Sequence, residues 1–485
     1  MWNFKGYADN IALQDEFGAK LTYRELEEQG NKLARAIESR CLVFSLCSNT
    51  LASVLGYTAF LQEHIVPLLL SAHIDCELYQ VLEETYRPSY VWLPKESEIL
   101  DFILEQGKII YEELGYFLVK KNSVPKTKLY GELALLLTTS GSTGSPKLVR
   151  QSYKCIRVNM EQIAEYLQLD DTERPVTTLP MNYTYGLSII NSHLWVGATI
   201  LLTDKTIIQK EFWGMVKEQK CTSFGGVPYT YEMLDKLKFY QMDLPDLRYM
   251  TQAGGKLLPA LHRKFAEYAQ EKQKKFIVMY GQCEATARMG YLPPEYSLKK
   301  QGAMGIAIPE GELRIVNGKG EEVTEAGVPG ELIYRGANVT LGYAESREDL
   351  AKGDEFRGEL HTGDIAERDK DGFFYIVGRM KRFLKIFGNR VNLDEIDRLV
   401  KNHFNGMECA SCGIDDKMYI FITAEEKRDE VRRYISEKTG LNFIAIQVVA
   451  IDAIPKNDSG KVLYKELEKY YQDKMGRKCR GRYEG

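Results

Sequence analysis

Thr138-Thr-Ser-Gly-Ser-Thr-Gly-Ser-Pro-Lys147 is the stretch of this sequence that decides its fold. It directly follows Leu133-Ala-Leu-Leu-Leu137, a short apolar run typical of a buried strand in an α/β sheet. Glycines let backbone N–H groups converge on an anion, and the hydroxyls and the lysine complete a cradle for phosphate. The spacing does not fit the P-loop of nucleoside triphosphatases, and a Gly/Ser-rich surface loop is the other interpretation. The segment therefore predicts a phosphate-binding loop after a buried strand.

The sequence on both sides of this segment alternates between helix and strand patterns. Thr22-Tyr-Arg-Glu25 is a capping box, and apolar residues continue after it at helical spacing. Further short apolar runs predict strands over residues 198–202, 276–279, 331–334 and 373–377. The alternation predicts an α/β protein.

The pattern changes between Gly378 and Arg382, where a charged stretch precedes about a hundred residues with their own apolar set. This region predicts helices over residues 394–404, around 431–435 and over 462–471, and strands over 418–422 and 443–449. We therefore expect two domains, residues 1–378 and residues 379–485.

Charge and composition exclude several classes of protein. The chain of 485 residues has 64 Lys plus Arg against 68 Asp plus Glu, a net charge of −4 that argues against a protein that coats nucleic acid or an anionic membrane. The apolar run Ile65-Val-Pro-Leu-Leu-Leu70 is far shorter than the ~20 residues of a membrane span. No signal peptide is visible at the start of the sequence. We expect a cytoplasmic protein with no membrane span and no nucleic-acid partner.

Nine cysteines are too few for a disulfide scaffold. Cys409-Ala-Ser-Cys412 could be half of a zinc site or a redox pair, but no second Cys-x-x-Cys follows it. We interpret this stretch as a small-residue strand with buried cysteines.

The phosphate-binding segment resembles that of the adenylate-forming superfamily, which includes acyl-CoA synthetases, amino-acid adenylation domains and luciferases. Further stretches resemble the motifs of this superfamily in the same order, from about residue 10 to residue 470: Ala253-Gly-Gly-Lys-Leu257, Tyr280-Gly-Gln-Cys-Glu-Ala285, Thr362-Gly-Asp364, Gly378-Arg-Met-Lys-Arg382 and Pro455-Lys-Asn-Asp-Ser-Gly-Lys461. The resemblance implies a large N-terminal domain of stacked α/β sheets with a β-rich subdomain. It also implies a small, mobile α+β C-terminal domain and a hinge at Lys381, where Asp is common in the family.

The activity implied by this resemblance is the reaction of ATP with a small carboxylic acid, which gives an acyl-adenylate and pyrophosphate. The acyl group then passes to a thiol, which is coenzyme A or the phosphopantetheine of an acyl carrier protein. Lys461 would bridge the carboxylate and the α-phosphate as a positioned charge. Glu284 and Thr143 would hold Mg²⁺, and Arg390 would donate to ribose or phosphate oxygens.

The same resemblance implies a nucleotide site in which Tyr280 stacks on adenine and Asp364 accepts from the ribose hydroxyls. The nucleotide-binding residues are Thr139, Ser140, Gly141, Ser142, Thr143, Gly144, Lys147, Gly254, Gly255, Tyr280, Gly281, Asp364 and Arg379. Taken alone, Asp364 could be only a turn residue and Glu284 only a helix cap.

The acyl pocket is expected to be lined by Tyr183, Tyr185, Phe224 and Gly225, again by resemblance. Two residues depart from the family pattern: Cys283 stands where Thr is usual, and Tyr183 stands where many acyl-CoA ligases have His. Between Pro180 and Leu201 there is no Asp or Glu, so a buried substrate ammonium would have no counterion there unless Asp204 or Glu211 folds back. We therefore expect an acid without a free α-amino group.

Three functions stay open from the sequence. They are an acyl-CoA ligase, an enzyme that loads a carrier protein, and a nucleotide-binding regulator without catalysis. The presence of Lys461 together with Glu284, Asp364 and Arg379 argues against the regulator, because a protein that only binds nucleotide has no need of the lysine.

Overall fold

The apolar runs form strands in the computed structural model, which describes residues 1–38, 40–122, 128–138, 147–380, 382–387, 389–414, 416–457 and 460–469. The chain divides into two compact units, Met1–Leu313 with Tyr334–Leu360, and Arg314–Ile333 with His361–Gly485. The second unit thus takes in strands that lie before Gly378. The expected boundary between residues 378 and 379 stays a prediction.

The run that precedes the phosphate-binding segment is the strand Leu133–Thr138, as predicted, inside an eight-stranded sheet of the first unit. Its neighbour on one side is parallel and its neighbour on the other, Leu148–Ser152, is antiparallel. In spatial order the strands are Tyr343–Ala344, Leu148–Ser152, Leu133–Thr138, Val66–Ser71, Leu42–Cys47, Tyr90–Pro94, Tyr116–Lys121 and Gly107–Glu113.

A second, nine-stranded sheet of the first unit has a parallel centre and antiparallel edges. In spatial order its strands are Ile306–Ala307, Gly290–Tyr291, Lys275–Tyr280, Tyr249–Gln252, Ser223–Gly226, Pro175–Val176, Ile200–Leu202, Ile11–Asp15 and Lys20–Thr22. The strands predicted over 276–279 and 198–202 are both present, the latter shortened to three residues.

Helices pack on these sheets, and one of them is buried on almost every side. This helix, Leu51–Gln62, is apolar all round, so it lies in the core, where it contacts side chains of both large sheets. The predicted capping box at Thr22 is present. The helices of the first unit are Tyr23–Arg35, Leu51–Gln62, Cys76–Tyr86, Leu100–Glu105, Tyr153–Leu167, Thr184–Trp195, Lys210–Glu218, Pro228–Lys236 and Pro259–Glu271.

Most of a four-stranded sheet belongs to the second unit; its strands are, in spatial order, Glu312–Val316, Gly330–Arg335, Glu359–Arg368 and Phe374–Arg379. The same unit contains the hairpin Phe383–Ile386 with Asn389–Asn392, a sheet of Cys409–Ile414, Lys417–Ile422 and Ile446–Ala450, and the helices Leu393–His403 and Arg428–Thr439. Cys409 and Cys412 are buried in a strand, as expected.

Two predictions near the C-terminus need correction. The strand expected over 443–449 begins only at Ile446, because the Asn442 side chain accepts from the backbone N–H of Ile444 and holds Phe443–Ala445 in a 3₁₀ turn. The last helix is observed over residues 464–469, and residue 462 instead forms an isolated β-bridge with Lys456. In the described ranges, no helix is both long enough and apolar enough to cross a membrane.

Candidate active site

The loop that carries Glu284 follows the strand Lys275–Tyr280 and is tightly folded. A Cβ on Gly281 would lie 1.5 Å from the carbonyl oxygen of Ala287, so only glycine allows the loop to close on itself. Glu284 lies in a single 3₁₀ turn, and Thr286 and Ala287 then take left-handed backbone angles, φ 54° and 93°. Such angles are costly for residues other than glycine and persist only where the surroundings enforce them.

A second segment, which begins at Asn338, supplies that enforcement. The buried Asn338 amide donates to the carbonyl oxygens of Ala285 and Arg288, both at 2.9 Å. The backbone N–H of Thr340 donates to the carbonyl oxygen of Glu284 at 3.0 Å. The loop is therefore held by three hydrogen bonds, which fix the direction in which the Glu284 side chain leaves the backbone.

The carboxylate of Glu284 is oriented by Tyr343. The tyrosine hydroxyl donates to Glu284 Oε1 at 2.8 Å. Burial and the neighbouring carboxylate raise the pKa of the Tyr343 phenol well above its usual value, so it remains a donor at neutral pH. Tyr343 was missed by the sequence analysis, since nothing in its local pattern relates it to a glutamate 59 residues earlier.

Lys147, the last residue of the phosphate-binding segment, is near the same tyrosine. Its Nζ lies 3.7 Å from the centre of the Tyr343 ring and 3.4 Å from Glu345 Oε1. The strand Tyr343–Ala344 pairs antiparallel with Leu148–Ser152, which explains the proximity. The residues Thr139, Ser140, Gly141, Ser142, Thr143 and Gly144, predicted to bind phosphate, lie outside the described residues.

Arg150 fixes the position of the segment that carries Tyr343. This arginine is fully buried, and its guanidinium donates to the carbonyl oxygens of Leu341 and Tyr343, both at 2.9 Å. It also pairs with the Glu355 carboxylate at 2.5 Å. Because a guanidinium has five donors in a rigid fork, one side chain can hold several turns of this segment at once.

The donor set around Glu284 fits a magnesium ion that is held mainly by substrate. Within the described ranges, no group of three or more His, Cys, Asp and Glu side chains is placed to hold a metal on its own. Mg²⁺ typically takes one or two protein carboxylates and completes its shell with phosphate oxygens and water. A single oriented carboxylate, with the candidate phosphate-binding Lys147 against the same tyrosine, matches that requirement.

The candidate ribose-binding residues Asp364 and Arg379 lie in the second unit, opposite each other on paired strands. Arg379 Nε is 3.1 Å from Asp364 Oδ1, and the arginine side chain is 60% exposed whereas Asp364 is buried. The Thr362 hydroxyl accepts from the Asp364 backbone N–H at 3.1 Å within the strand Glu359–Arg368, so Asp364 is a strand residue and not a turn residue. The predicted pair is thus brought together, with the arginine reaching solvent.

Lys461 lies in a closed loop of the same unit. The Lys461 backbone N–H donates to Asn457 Oδ1 at 2.9 Å, and the Asn457 backbone N–H donates to the Lys461 carbonyl oxygen at 2.9 Å. Arg390 lies on the strand Asn389–Asn392, but its side chain is outside the described part of the structure, as is all of Lys381.

The predicted acyl-pocket residues lie together in the first unit. The rings of Tyr183 and Tyr185 are 6.3 Å apart, and the Tyr185 hydroxyl shares a 2.8 Å hydrogen bond with Thr251 Oγ1. A Cβ on Gly225 would lie 2.9 Å from the Tyr185 hydroxyl, and Gly254, at φ +84°, leaves room for the Tyr183 hydroxyl. These contacts define a wall of two tyrosines, Tyr185 buried and Tyr183 partly buried, against glycine backbone.

Other predicted residues near this wall have mixed positions. Phe224 packs edge-on against Phe239 in the core, 5.8 Å between ring centres, so its ring is committed to packing. Gly255 packs toward Pro228, and the Tyr280 hydroxyl accepts from Gln282 at 3.4 Å.

The two carboxylates that could have folded back towards the pocket are both exposed. Asp204 is exposed and accepts from the backbone N–H of Asn49 at 2.9 Å, and Glu211 is exposed at the start of the helix Lys210–Glu218.

Comparison with known proteins identifies the family of this chain. Residues 2–344 match the family described as AMP-binding enzyme, a match over more than half of the chain. The chain belongs to the AMP-binding enzyme family. The predictions of family and of fold class are therefore confirmed.

Individual relatives and solved structures also match this chain. The chain is 26% identical to the 2-succinylbenzoate–CoA ligase of Geobacillus sp., over 95% of this chain and 94% of that protein. It is 27% identical to the oxalate–CoA ligase of Arabidopsis thaliana, over 70% of this chain and 68% of that protein. The structure of Bacillus subtilis O-succinylbenzoate coenzyme A synthetase with AMP matches with a TM-score of 0.77, 21% identity and coverage of 96% and 97%. A second structure of that synthetase holds ATP and a magnesium ion. The predicted enzyme class, an AMP-forming acid–thiol ligase, agrees with these findings.

Proposed function

We propose that this protein is an AMP-forming ligase that joins a small carboxylic acid to the thiol of coenzyme A at the expense of ATP. The observation that carries the proposal is the pairing of an oriented carboxylate, Glu284, with the lysine of the phosphate-binding segment through one tyrosine. Family membership and the CoA ligases among the relatives support it.

In the first half-reaction an oxygen of the substrate carboxylate attacks the α-phosphorus of ATP, and pyrophosphate leaves. Mg²⁺, when bound, screens the negative charge of the phosphates. Glu284 would hold that ion, and Lys147 would supply a point charge to the phosphates. Lys461 would neutralise charge on the carboxylate and the α-phosphate as it develops.

In the second half-reaction the thiolate of coenzyme A attacks the acyl carbon, and AMP leaves. Asp364 and Arg379 would bind the ribose of the nucleotide throughout, since a carboxylate accepts from paired hydroxyls and a forked donor matches phosphate and ribose oxygens. The acid would have no free α-amino group, because Tyr185 is buried and no Asp or Glu lies between Pro180 and Leu201 to pair with an ammonium there. The names of the relatives range from oxalate to long-chain fatty acids, so they do not select the acid.

The experiment has two stages on the full chain. ATP–pyrophosphate exchange is measured with a panel of carboxylic acids, and the active acids are then offered with coenzyme A for thioester formation. Glu284→Gln should lower exchange ~10²-fold or more, as does loss of one preorganised electrostatic contact. Glu267→Gln, an exposed glutamate on the helix Pro259–Glu271, is the matched control and should leave exchange unchanged.

Two results would overturn the proposal in different ways. The carrier-loading alternative would be established if an acid supports exchange and its acyl group passes to a phosphopantetheinylated carrier protein but not to coenzyme A. Nucleotide binding without exchange for any acid would establish the regulator.

A further inference from the structure

Arg288 is a buried arginine beside the tyrosines of the candidate acyl pocket. It is 3% exposed, and its guanidinium lies 5.1 Å from the centre of the Tyr185 ring. Its Nε donates to the Ser188 hydroxyl at 3.1 Å, and one Nη donates to the Tyr166 hydroxyl at 2.9 Å and contacts the Met279 sulfur at 3.0 Å. Every one of these partners is uncharged.

No carboxylate lies within ion-pair distance of this guanidinium in the part of the chain that the structure describes. The contrast within the same unit is Arg150, equally buried, which has Glu355 at 2.5 Å. A buried charge is costly unless it is paired, so an arginine with only neutral partners is an unusual choice for a purely structural position.

The titratable side chains described next to Arg288 carry no negative charge. His193 is buried, and burial together with Arg288 lowers its pKa to about 4, so the imidazole is neutral at physiological pH. Burial raises the pKa of Tyr185 to about 12, and it also raises that of Tyr166, so both phenols are neutral as well. Arg288 therefore carries a positive charge with no anionic group among its direct contacts in the described ranges, and the buried Glu173, which with Arg288 acts on Tyr249, is already paired with Arg248 at 2.9 Å.

The position of Arg288 relates it to the reacting end of the substrate. It is the fourth residue after Glu284, on the same loop, and four residues span at most about 14 Å. Between Glu284 and Arg288 lie the left-handed residues Thr286 and Ala287, and the Asn338 amide holds the carbonyl oxygens of the flanking residues Ala285 and Arg288. An acid whose carboxylate reacts near Glu284 can thus present its far end towards Arg288.

We propose that Arg288 is a specificity-determining residue that pairs with a second carboxylate on the acid, so that the enzyme activates a small dicarboxylic acid. This inference rests on the proposed function, because it names the substrate class of the same site. The second carboxylate supplies the countercharge that Arg288 lacks, and Tyr166 and Ser188 hold the guanidinium in place for it.

The test on the wild-type chain compares acids of matched shape in ATP–pyrophosphate exchange: succinate with butyrate and with succinamate, glutarate with pentanoate, and phthalate with benzoate. Succinamate keeps the length and hydrogen-bonding shape of succinate but removes the second charge. In the pair of best-fitting length, kcat/KM for the diacid should exceed that for its neutral partner ~10²-fold, the size typical of a buried charge pair.

Variants then assign the preference to Arg288. Arg288→Gln should reduce the ratio of diacid to monoacid kcat/KM from ~10² towards 1, mainly through the KM of the diacid, and Arg288→Lys should keep part of it. Arg157→Gln, an exposed helix arginine paired with Glu161, is the control and should keep the wild-type ratio. The KM for ATP reports on the integrity of each variant.

The outcomes separate this inference from the proposed function. Exchange that is equal or better with the neutral acid in every pair would overturn the inference while leaving the ligase intact. Equal loss of diacid and monoacid activity in Arg288→Gln would make the arginine a structural residue. If Arg288→Gln does not fold, the comparison of succinate with succinamate on the wild-type chain still shows whether the enzyme prefers the acid with a second charge. No exchange with any acid would overturn the proposed function itself.

Discussion

Replacement of Tyr343 by phenylalanine tests whether this tyrosine acts on catalysis through Glu284. The substitution removes only the hydroxyl, which donates to Glu284 Oε1 at 2.8 Å, and keeps the ring that Lys147 Nζ approaches at 3.7 Å. A hydrogen bond to a charged group contributes about 1.5–3 kcal/mol. Because Glu284 is only partly buried, the lower part of that range applies. At about 1.4 kcal/mol per tenfold, we expect kcat/KM for Mg-ATP to fall ~10- to 30-fold.

The assay is ATP–pyrophosphate exchange at varied Mg²⁺ and ATP, with the acid saturating. The loss in Tyr343→Phe should be reflected chiefly in a higher apparent requirement for Mg²⁺. Tyr343→Leu removes the ring as well, so it should lose a further ~2- to 5-fold through the cation–π contact with Lys147.

A double-mutant cycle gives the result that would refute this reasoning. In a Glu284→Gln background the acceptor is neutral, so Tyr343→Phe should cost less than about threefold, and the coupling free energy should be about 1 kcal/mol or more. If Tyr343→Phe lowers kcat/KM by the same factor in both backgrounds, the tyrosine does not act through Glu284.

Two further predictions concern Lys461 and the buried histidines. Lys461→Ala should lower ATP–pyrophosphate exchange ~10²–10³-fold and largely spare thioester formation from synthetic acyl-adenylate. The control Lys469→Ala, at an exposed lysine, should change neither half-reaction. Equal loss in both half-reactions of Lys461→Ala would refute the role assigned to this lysine. Burial lowers the pKa of both His193 and His262 to about 4, below the usual 6.5, so the stability each contributes is complete above pH 6.5 and is lost as the pH falls from 6.5 to 4. At about 1.36 kcal/mol per pKa unit this loss is about 3 kcal/mol for each histidine. The free energy of unfolding in urea, measured from pH 7 to pH 4.5, should depend less steeply on pH in His193→Gln than in the wild type or the exposed His73→Gln, and an unchanged slope would contradict the assignment.

The sequence allowed those elements to be predicted whose pattern is local. The strand Leu133–Thr138 and the helix after Thr22 are set by an unbroken apolar run and by a capping box, and both are observed. The strand expected at 443–449 was wrong at its start, because a single Asn442 side chain converts three residues to a 3₁₀ turn. That effect depends on one hydrogen bond and leaves the apolar pattern unchanged.

The sequence allowed candidate site residues to be named where a motif keeps its residues together, as with Glu284, Asp364 and Lys461, and their roles stay predictions. Tyr343 and Arg288 were missed for a different reason. Tyr343 reaches Glu284 across 59 residues, and Arg288 meets the Tyr166 hydroxyl across 122. Only strand pairing and packing bring such residues together, and no local sequence pattern around a lone Tyr or Arg indicates which distant residue it contacts.

The loop from Gly281 to Arg288 is firmly attached to the rest of the first unit, and its strained backbone calls for a physical reason. Two residues with costly left-handed angles are kept in place by the Asn338 amide, which binds carbonyl oxygens on both sides of them. If the loop relaxed, Glu284 and Arg288 would move relative to each other. A metal-binding carboxylate needs only its own orientation, and Tyr343 already provides that. The strained backbone is explained if the distance between the Glu284 and Arg288 side chains matters for substrate binding. For an acid that carries one carboxylate at each end, that distance would set the length of acid that fits.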